Sequence, residues 1–274
     1  MLIPLVCIVI IIVFFKLPYS KTASAFHKKV EQKKEAATLE PARFTERDIQ
    51  ELPIALQRYF RYCGFLGTPK MSSMTANFHG VDFVISEKKT IQIDYTQYNL
   101  VAKPERFAYI SSSLYGIPFE GYDAFENGIG SMKGILAKQI TLFDQGGKDM
   151  DRACLVTILA ECLLVPHVAL QDYISWEEID DTHAKASISY YGISAEGIFT
   201  FDPSGALVSF TSKDRVATDM KGNSRTVPWS ATMRNYQEKD GILRPTLLQS
   251  FWHYPEGDCC YFNENQSPVE IEFQ

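Results

Sequence analysis

Residues 149–166, DMDRACLVTILAECLLVP, constrain this chain more than any other part of it. From Leu155, apolar side chains recur at Ile158, Leu159, Cys162 and Leu163, the i, i+3, i+4, i+7, i+8 spacing of one helical face. That face has to be buried. At roughly 1.5–3 kcal/mol for each large side chain, its burial is worth about 8–12 kcal/mol, comparable to the net stability of a whole domain. Asp149 is placed to cap the start, Asp151 suits the positive end of the helix dipole, and Pro166 stops the helix.

Most of what surrounds this helix reads as strand. Lys89 to Tyr98 alternates cleanly, with Ile91, Ile93 and Tyr95 on one face and Thr90, Gln92, Asp94 and Thr96 on the other. Further strands are expected near 73–84, 106–113, 118–126, 129–136 and 139–144. After the helix they are expected near 174–179, 183–191, 194–202, 206–215, 226–238, 242–253 and 268–273. Short connections such as Asp202-Pro203-Ser204-Gly205 and Lys239-Asp240-Gly241 make neighbours antiparallel hairpins in a meander. About a dozen such strands need one face covered. The expected fold is therefore α+β and mainly β, a large curved antiparallel sheet or open barrel wrapped on the central helix. An internal echo relates Tyr115-Gly116-Ile117 to Tyr191-Gly192-Ile193, each followed by Glu-Gly three residues on; alone it establishes no duplication.

The N-terminus divides the chain further. Leu2 to Phe15 carries no charge, and its fourteen residues reach about 21 Å of a hydrocarbon core roughly 30 Å thick, so a span must borrow Met1 and Lys16 to Tyr19. The rival is a signal peptide cut near Ala25, since Ala23-Ser24-Ala25 has the small-x-small form. No Lys or Arg precedes the run, while Lys16, Lys21, Lys28 and Lys29 follow it; this favours an anchor with the bulk of the chain on the cytoplasmic side. Residues 1–19 are expected as a transmembrane anchor, 20–44 as a charged stalk without an apolar face, and 45–274 as a single β-rich domain. At the start of that domain Thr45-x-x-Asp48 resembles a capping box. Pro53 kinks the helix that follows or starts a new one, and Gly64 sits where a C-terminal cap belongs.

Composition and motifs exclude more than they assign. A net charge of −6 with no basic surface beyond the N-terminal segment argues against nucleic acid. Six cysteines, two of them adjacent at 259 and 260, suit free thiols better than a disulfide framework. Gly128-Ile129-Gly130 imitates a dinucleotide fingerprint, but its third glycine comes one place late and no acidic ribose partner follows. The five histidines form no paired metal motif, and Glu177, Glu178, Asp180 and Asp181 lack the alternation of a calcium loop. No metal and no cofactor is expected.

Glu161 lies on the back of the central helix among small and apolar residues. If covered it needs a partner, and Arg215 or Arg152 is available; a structural ion pair between Glu161 and Arg215 is expected, with a catalytic acid or base at Glu161 as the alternative. Trp176, Trp229 and Trp252 stand in strands, with Tyr236 nearby in sequence. Such aromatics fill a core or line an apolar cavity between helix and sheet.

LPIALQRYFRYCG at 52–64, YGIPFEGYDAFENGIGSMKGILA at 115–137, DMDRACLVTILAECLLVPHVAL at 149–170, WEEIDDTHAKASI, FTFDPSG, Val227-Pro228-Trp229 and GILRPT resemble a family of uncharacterised bacterial proteins. This domain of unknown function often carries an N-terminal membrane segment. The likeness covers about 52–273 and departs at Cys162-Leu163-Leu164, where relatives have an aromatic before the proline. Its general look is similar to the curved sheets with a helical plug of lipoprotein-carrier proteins. Residues and resemblance together lead to the expectation of a membrane-tethered, non-enzymatic binding module for membrane lipid or an apolar small molecule. Trp176, Trp229, Tyr236 and Trp252 would touch the ligand. A hydrolase using Glu161 and a structural partner in a membrane complex are the alternatives.

Overall fold

Period-two alternation turns most of the chain into one sheet. The computed structural model describes residues 2–37, 42–86, 89–218 and 222–274. Its first meander runs through β1 (Ser73–Ser86), β2 (Lys89–Leu100), β3 (Arg106–Leu114), β4 (Ile117–Glu126), β5 (Ile129–Leu136) and β6 (Ile140–Gly146). The second runs through β7 (Ile174–Asp180), β8 (His183–Tyr190), β9 (Ile193–Phe201) and β10 (Leu207–Ser212). A separate small hairpin follows, β11 (Val216–Thr218) and β12 (Ser224–Thr226), and then β13 (Trp229–Lys239), β14 (Ile242–Tyr254), β15 (Gly257–Asn263) and β16 (Glu270–Phe273). The helices are α1 (Leu2–Lys16), α2 (Lys21–Ala36), α3 (Glu46–Ile49), α4 (Ile54–Tyr62) and α5 (Lys148–Glu161).

Among the described residues the main sheet has 14 antiparallel strands in the order β6-β5-β4-β3-β2-β1-β15-β14-β13-β10-β9-β8-β7, with β16 also on β1. The two meanders join where β15 pairs with β1, through Asp82↔Asn263 and Phe83↔Phe262. That joining strand is absent from the sequence expectation. Its register shifts between Ser250 and Phe251 opposite, and adjacent Cys259 and Cys260 blur its alternation.

The sheet curls round α5, which touches β4, β5 and β6 on one limb and β8, β9 and β10 on the other. Leu155, Val156, Ile158 and Leu159 are buried there, as the helical face requires. The mainly β architecture with a central helix is thus as the pattern predicts. The helix is shorter than expected: it ends at Glu161, and Cys162 to Val165 continue as buried turns before Pro166. Its N-cap is Gly147, not Asp149, and no side-chain bond caps it. Asp151 instead accepts the N–H of Gly130 on β5 at 2.7 Å. Gly130 has to be glycine for this approach, since a Cβ there would lie 2.7 Å from the Met150 carbonyl oxygen.

At the entry to the domain the capping box of Thr45 and Asp48 forms, Pro53 separates α3 from α4, and Gly64 takes a φ of 75°. The segment expected as a solvated stalk is packed. Thr22, Phe26 and Val30, spaced by four, are buried on α2, and Phe26 and Val30 pack against Tyr98, Phe107, Tyr109 and Tyr122 of β2–β4, on the face opposite α5. Lys33 reaches Glu105 at 2.5 Å and Glu126 at 2.8 Å, and Lys29 reaches Glu126 at 3.0 Å. Two large apolar residues among five lysines make a stripe too thin for periodicity to detect.

The internal echo has a local cause. Tyr115-Gly116 and Tyr191-Gly192 both take positive φ, the two-residue hairpin turn that matches strand twist. Ala137 and Lys138 take the same conformation, φ 53° and 61°, with no glycine in the turn.

Past β15, Glu264 is 1% exposed; its Oε2 accepts the Leu248 N–H at 2.8 Å and its Oε1 has no partner. Burial pushes its carboxyl up from 4.5 to about 7, against backbone bonds from Leu248 and Val269 that pull the other way. Below pH 4.5 the group is protonated in folded and unfolded chains alike; above that value only the unfolded chain ionises until about pH 7. The stability held by the protonated form is therefore lost as pH rises through 7, by roughly 3 kcal/mol in all. Urea unfolding of the full chain in detergent should show a lower midpoint at pH 8 than Glu264→Gln does, with the two converging near pH 4.5. Parallel pH profiles for parent and variant would remove this assignment.

Candidate functional site

The inner face of β2, extended past Tyr95, turns polar at Gln97 and Asn99, and these meet a buried arginine. Arg106, 5% exposed, donates from Nε to Glu161 Oε2 at 2.9 Å, from Nη1 to Asp123 Oδ2 at 2.9 Å, and from Nη2 to Tyr95 Oη and to Gln97 Oε1 at 3.1 Å. Asn99 Nδ2 adds a 2.7 Å bond to Glu161 Oε2. Burial alone would depress Arg106, but the charges of Glu161 and Asp123 and the Tyr95 oxygen hold its guanidinium well above its ordinary value. Burial also raises the Tyr95 hydroxyl and the Cys154 thiol, which faces Asp123 at 3.9 Å.

This network corrects the expected pairing of Glu161 with Arg215. The back of α5 lies over β2–β4, so the cation that reaches Glu161 is Arg106 of β3, which the sequence reading did not single out. Arg215 lies before β11, its guanidinium 4.5 Å from the Trp229 ring and 5.4 Å from the Trp252 ring, and Nη1 donates to Tyr261 Oη at 3.4 Å. Its Nε is buried without a partner. The signal that could have found the network was the pair Gln97 and Asn99, polar residues in step with the apolar Ile91 and Ile93.

The four aromatic residues expected at one site are in three places. Trp229 and Trp252 are cross-strand partners, and Trp252 stacks on Tyr261 at 5.7 Å. Trp176 donates to the Ala169 carbonyl at 2.9 Å and packs on Phe199. Tyr236 donates to the Leu207 carbonyl at 3.0 Å and meets Tyr62 edge-on. Between Trp176 and Trp229 the interior is filled by rings, since Phe199 and Phe210 lie 4.7 Å apart and Phe210 lies 6.2 Å from Trp229. The hollow expected between helix and sheet is occupied there by side chains, because β9, β10 and β13 point Phe199, Phe210 and Trp229 inward.

Apolar surface remains elsewhere on the inner face. α5 crosses the first meander at Gly130, Asp123, Arg106 and Asn99, close to one end of β5, β4, β3 and β2. Beside that crossing Met132, and toward the other end Phe83, Ile85, Leu114, Leu136 and Phe143, pack on the core yet stay partly exposed. Phe83 continues this strip to Trp252 through the ring of Tyr261, 6.0 Å away. At that end Lys138 Nζ donates to the carbonyl oxygens of Phe14, Leu17 and Tyr19, the last turn and exit of α1.

Among the described residues no His, Cys, Asp or Glu cluster is suited to a metal ion, and one N-terminal helical stretch is long and apolar enough to cross a membrane by length and composition. All six cysteines are free.

Two solved structures are similar in outline. A LolA superfamily protein from Nitrosomonas europaea is 8% identical, with 80% of this chain and 93% of that chain covered and a TM-score of 0.42. A putative outer membrane lipoprotein-sorting protein domain from Vibrio parahaemolyticus is 10% identical, with 74% and 84% covered and a TM-score of 0.38. No curated protein matches. Residues 42–264 match the model of a family of unknown function, DUF6544, and with that much of its length matched the chain belongs to that family.

Proposed function

We propose that this protein is a membrane-tethered binding module that holds an apolar or lipid-like molecule against the inner face of its sheet. The observation that carries this reading is the strip Phe83, Ile85, Leu114, Met132, Leu136 and Phe143, apolar side chains that α5 leaves partly open to solvent. Lipid tails and such a strip remove each other from water at about 25 cal/mol for each Å² buried. Trp252 and Tyr261 extend the strip, with Arg215 beside them to meet a polar end. In this reading α1 is the anchor, and the lysines that follow it place the domain on the cytoplasmic side. Glu161 and Arg106 hold α5 in place, and both Glu161 oxygens accept hydrogen bonds, which favours binding over acid–base chemistry at that carboxylate.

Photo-crosslinking tests this. Full-length protein in detergent, irradiated with a diazirine-bearing phosphatidylcholine, should give adducts on the peptides containing Phe83 and Phe143 as well as on α1. Leu136→Lys should reduce the domain adducts several-fold and leave those on α1. Adducts confined to α1 would leave the strip without a ligand and end this reading.

A further inference from the structure

We infer that the end of the sheet formed by the β3–β4 and β5–β6 turns is seated on the phospholipid surface, with Tyr115 at the level of the headgroups. This rests on the tether reading of α1 and adds to it an orientation.

The first argument is length. The 15 residues of α1 span about 22 Å, some 8 Å less than a hydrocarbon core of roughly 30 Å. Leu17, Pro18 and Tyr19 have to make up the difference. Two of these, Leu17 and Tyr19, give their carbonyl oxygens to Lys138 Nζ, and the Lys138 ammonium also lies 5.7 Å from the Phe14 ring. Whatever depth those carbonyls reach, the β5–β6 turn is within one side chain of it. The turn is held in a costly conformation to do so, since Ala137 and Lys138 both take positive φ without glycine. The Ala137 N–H donates to the Pro118 carbonyl at 2.7 Å, which ties the β3–β4 turn to the same place.

The second argument is what those turns present. Tyr115 is 91% exposed at the tip of β3–β4, and Ile140 and Leu142, 57% and 42% exposed, follow Lys138 on the edge strand β6. Lys89 Nζ sits 4.1 Å from the Tyr115 ring centroid. An exposed tyrosine, two exposed aliphatics and the Lys89 ammonium beside a membrane exit are the composition of an interfacial belt, apolar body inward and cation at the phosphates, while the buried Lys138 holds the α1 carbonyls.

The third argument is rigidity. α2 follows α1 after a turn at Pro18–Ser20 and is clamped along the outer face of the sheet by Phe26, Val30, Lys29 and Lys33. A domain fixed in this way does not swing on a loose stalk, so the end of the sheet next to α1 stays next to the bilayer.

Depth-dependent quenching tests the inference on the full chain in vesicles of mixed phosphatidylcholine and phosphatidylglycerol. With Cys259 and Cys260 replaced by serine, a fluorophore is placed singly at native Cys7, or, with Cys7 also replaced, at Tyr115→Cys, Leu142→Cys or Lys103→Cys. Lys103 lies on the exposed β2–β3 turn, at the other end of the same strands. Headgroup-attached nitroxide lipids should quench the Tyr115 and Leu142 positions several-fold more than the Lys103 position. Lys138→Gln should lower quenching at Tyr115 toward the Lys103 level. If Cys7 is quenched by deep nitroxides while Tyr115 and Leu142 match Lys103, α1 is embedded and this orientation alone is wrong. If Cys7 is not quenched, the tether reading fails and the orientation fails with it.

Discussion

Arg106→Leu should lower the unfolding free energy of the full chain by about 3–5 kcal/mol, the cost of leaving buried charges without their partner. Glu161 and Asp123 both face Arg106 on the covered side of the sheet, with side-chain exposures of 14% and 23%. With leucine in place, two carboxylates would share a partly desolvated site, with Asn99 left as the donor to Glu161. Against a net stability of roughly 5–15 kcal/mol, such a loss takes a large share of what holds the domain together. Arg106→Lys should recover only part of it. A single ammonium cannot reproduce the planar fork that serves Glu161, Asp123, Tyr95 and Gln97 together. Urea unfolding in detergent, followed by tryptophan fluorescence, measures both. Adding Glu161→Leu to Arg106→Leu should restore some stability, since the uncompensated charge is then gone. Loss of less than about 1 kcal/mol in Arg106→Leu would mean that the network behaves as a solvated surface pair.

Leu159→Ala should cost about 2–5 kcal/mol, and the position rather than the chemistry puts it there. Leu159 is fully buried in the core cluster, inside the curve of the sheet, where α5 touches both limbs. A cavity at that point is walled by strands on opposite sides, so collapse to fill it would require the sheet to tighten, and the cost should fall toward the upper end. Thr157→Ala is the control on the same helix. Its hydroxyl bonds the Ala153 carbonyl at 3.0 Å within the helix itself, and its loss should change stability by less than about 1 kcal/mol. Equal effects at the two positions would remove α5 from the centre of the fold.

How far the sequence carried the fold depends on the range of each interaction. Local signals were legible. The apolar spacing of 155–163 has one helical solution, the alternation of 89–98 has one strand solution, and the turns at Tyr115-Gly116 and Asp240-Gly241 mark hairpins through chemistry contained in two residues. The segment 257–263 was not legible as a strand, because what makes it one is pairing with β1, some 180 residues earlier in the chain, and with β14. The packing of α2 was hidden in the same way, since Phe26 finds its stacked partner in Tyr109 of a strand far along the chain.

The candidate site follows the same division. That Glu161 needs a cation if covered follows from the cost of burying a carboxylate, and the sequence alone determines it. Which cation answers does not, since Arg106, Arg152 and Arg215 satisfy that rule equally until the sheet curls and sets β3 beneath the end of α5. Likewise the sequence determines that the three tryptophans sit in strands. Only the tertiary structure decides that Trp229 and Trp252 pair, that Trp176 and Tyr236 lie apart from them, and that rings fill the interior where a hollow was expected. Side-chain type and period are properties of neighbouring residues, whereas partner choice is set by the curvature and order of a 14-stranded sheet, which only the whole chain creates.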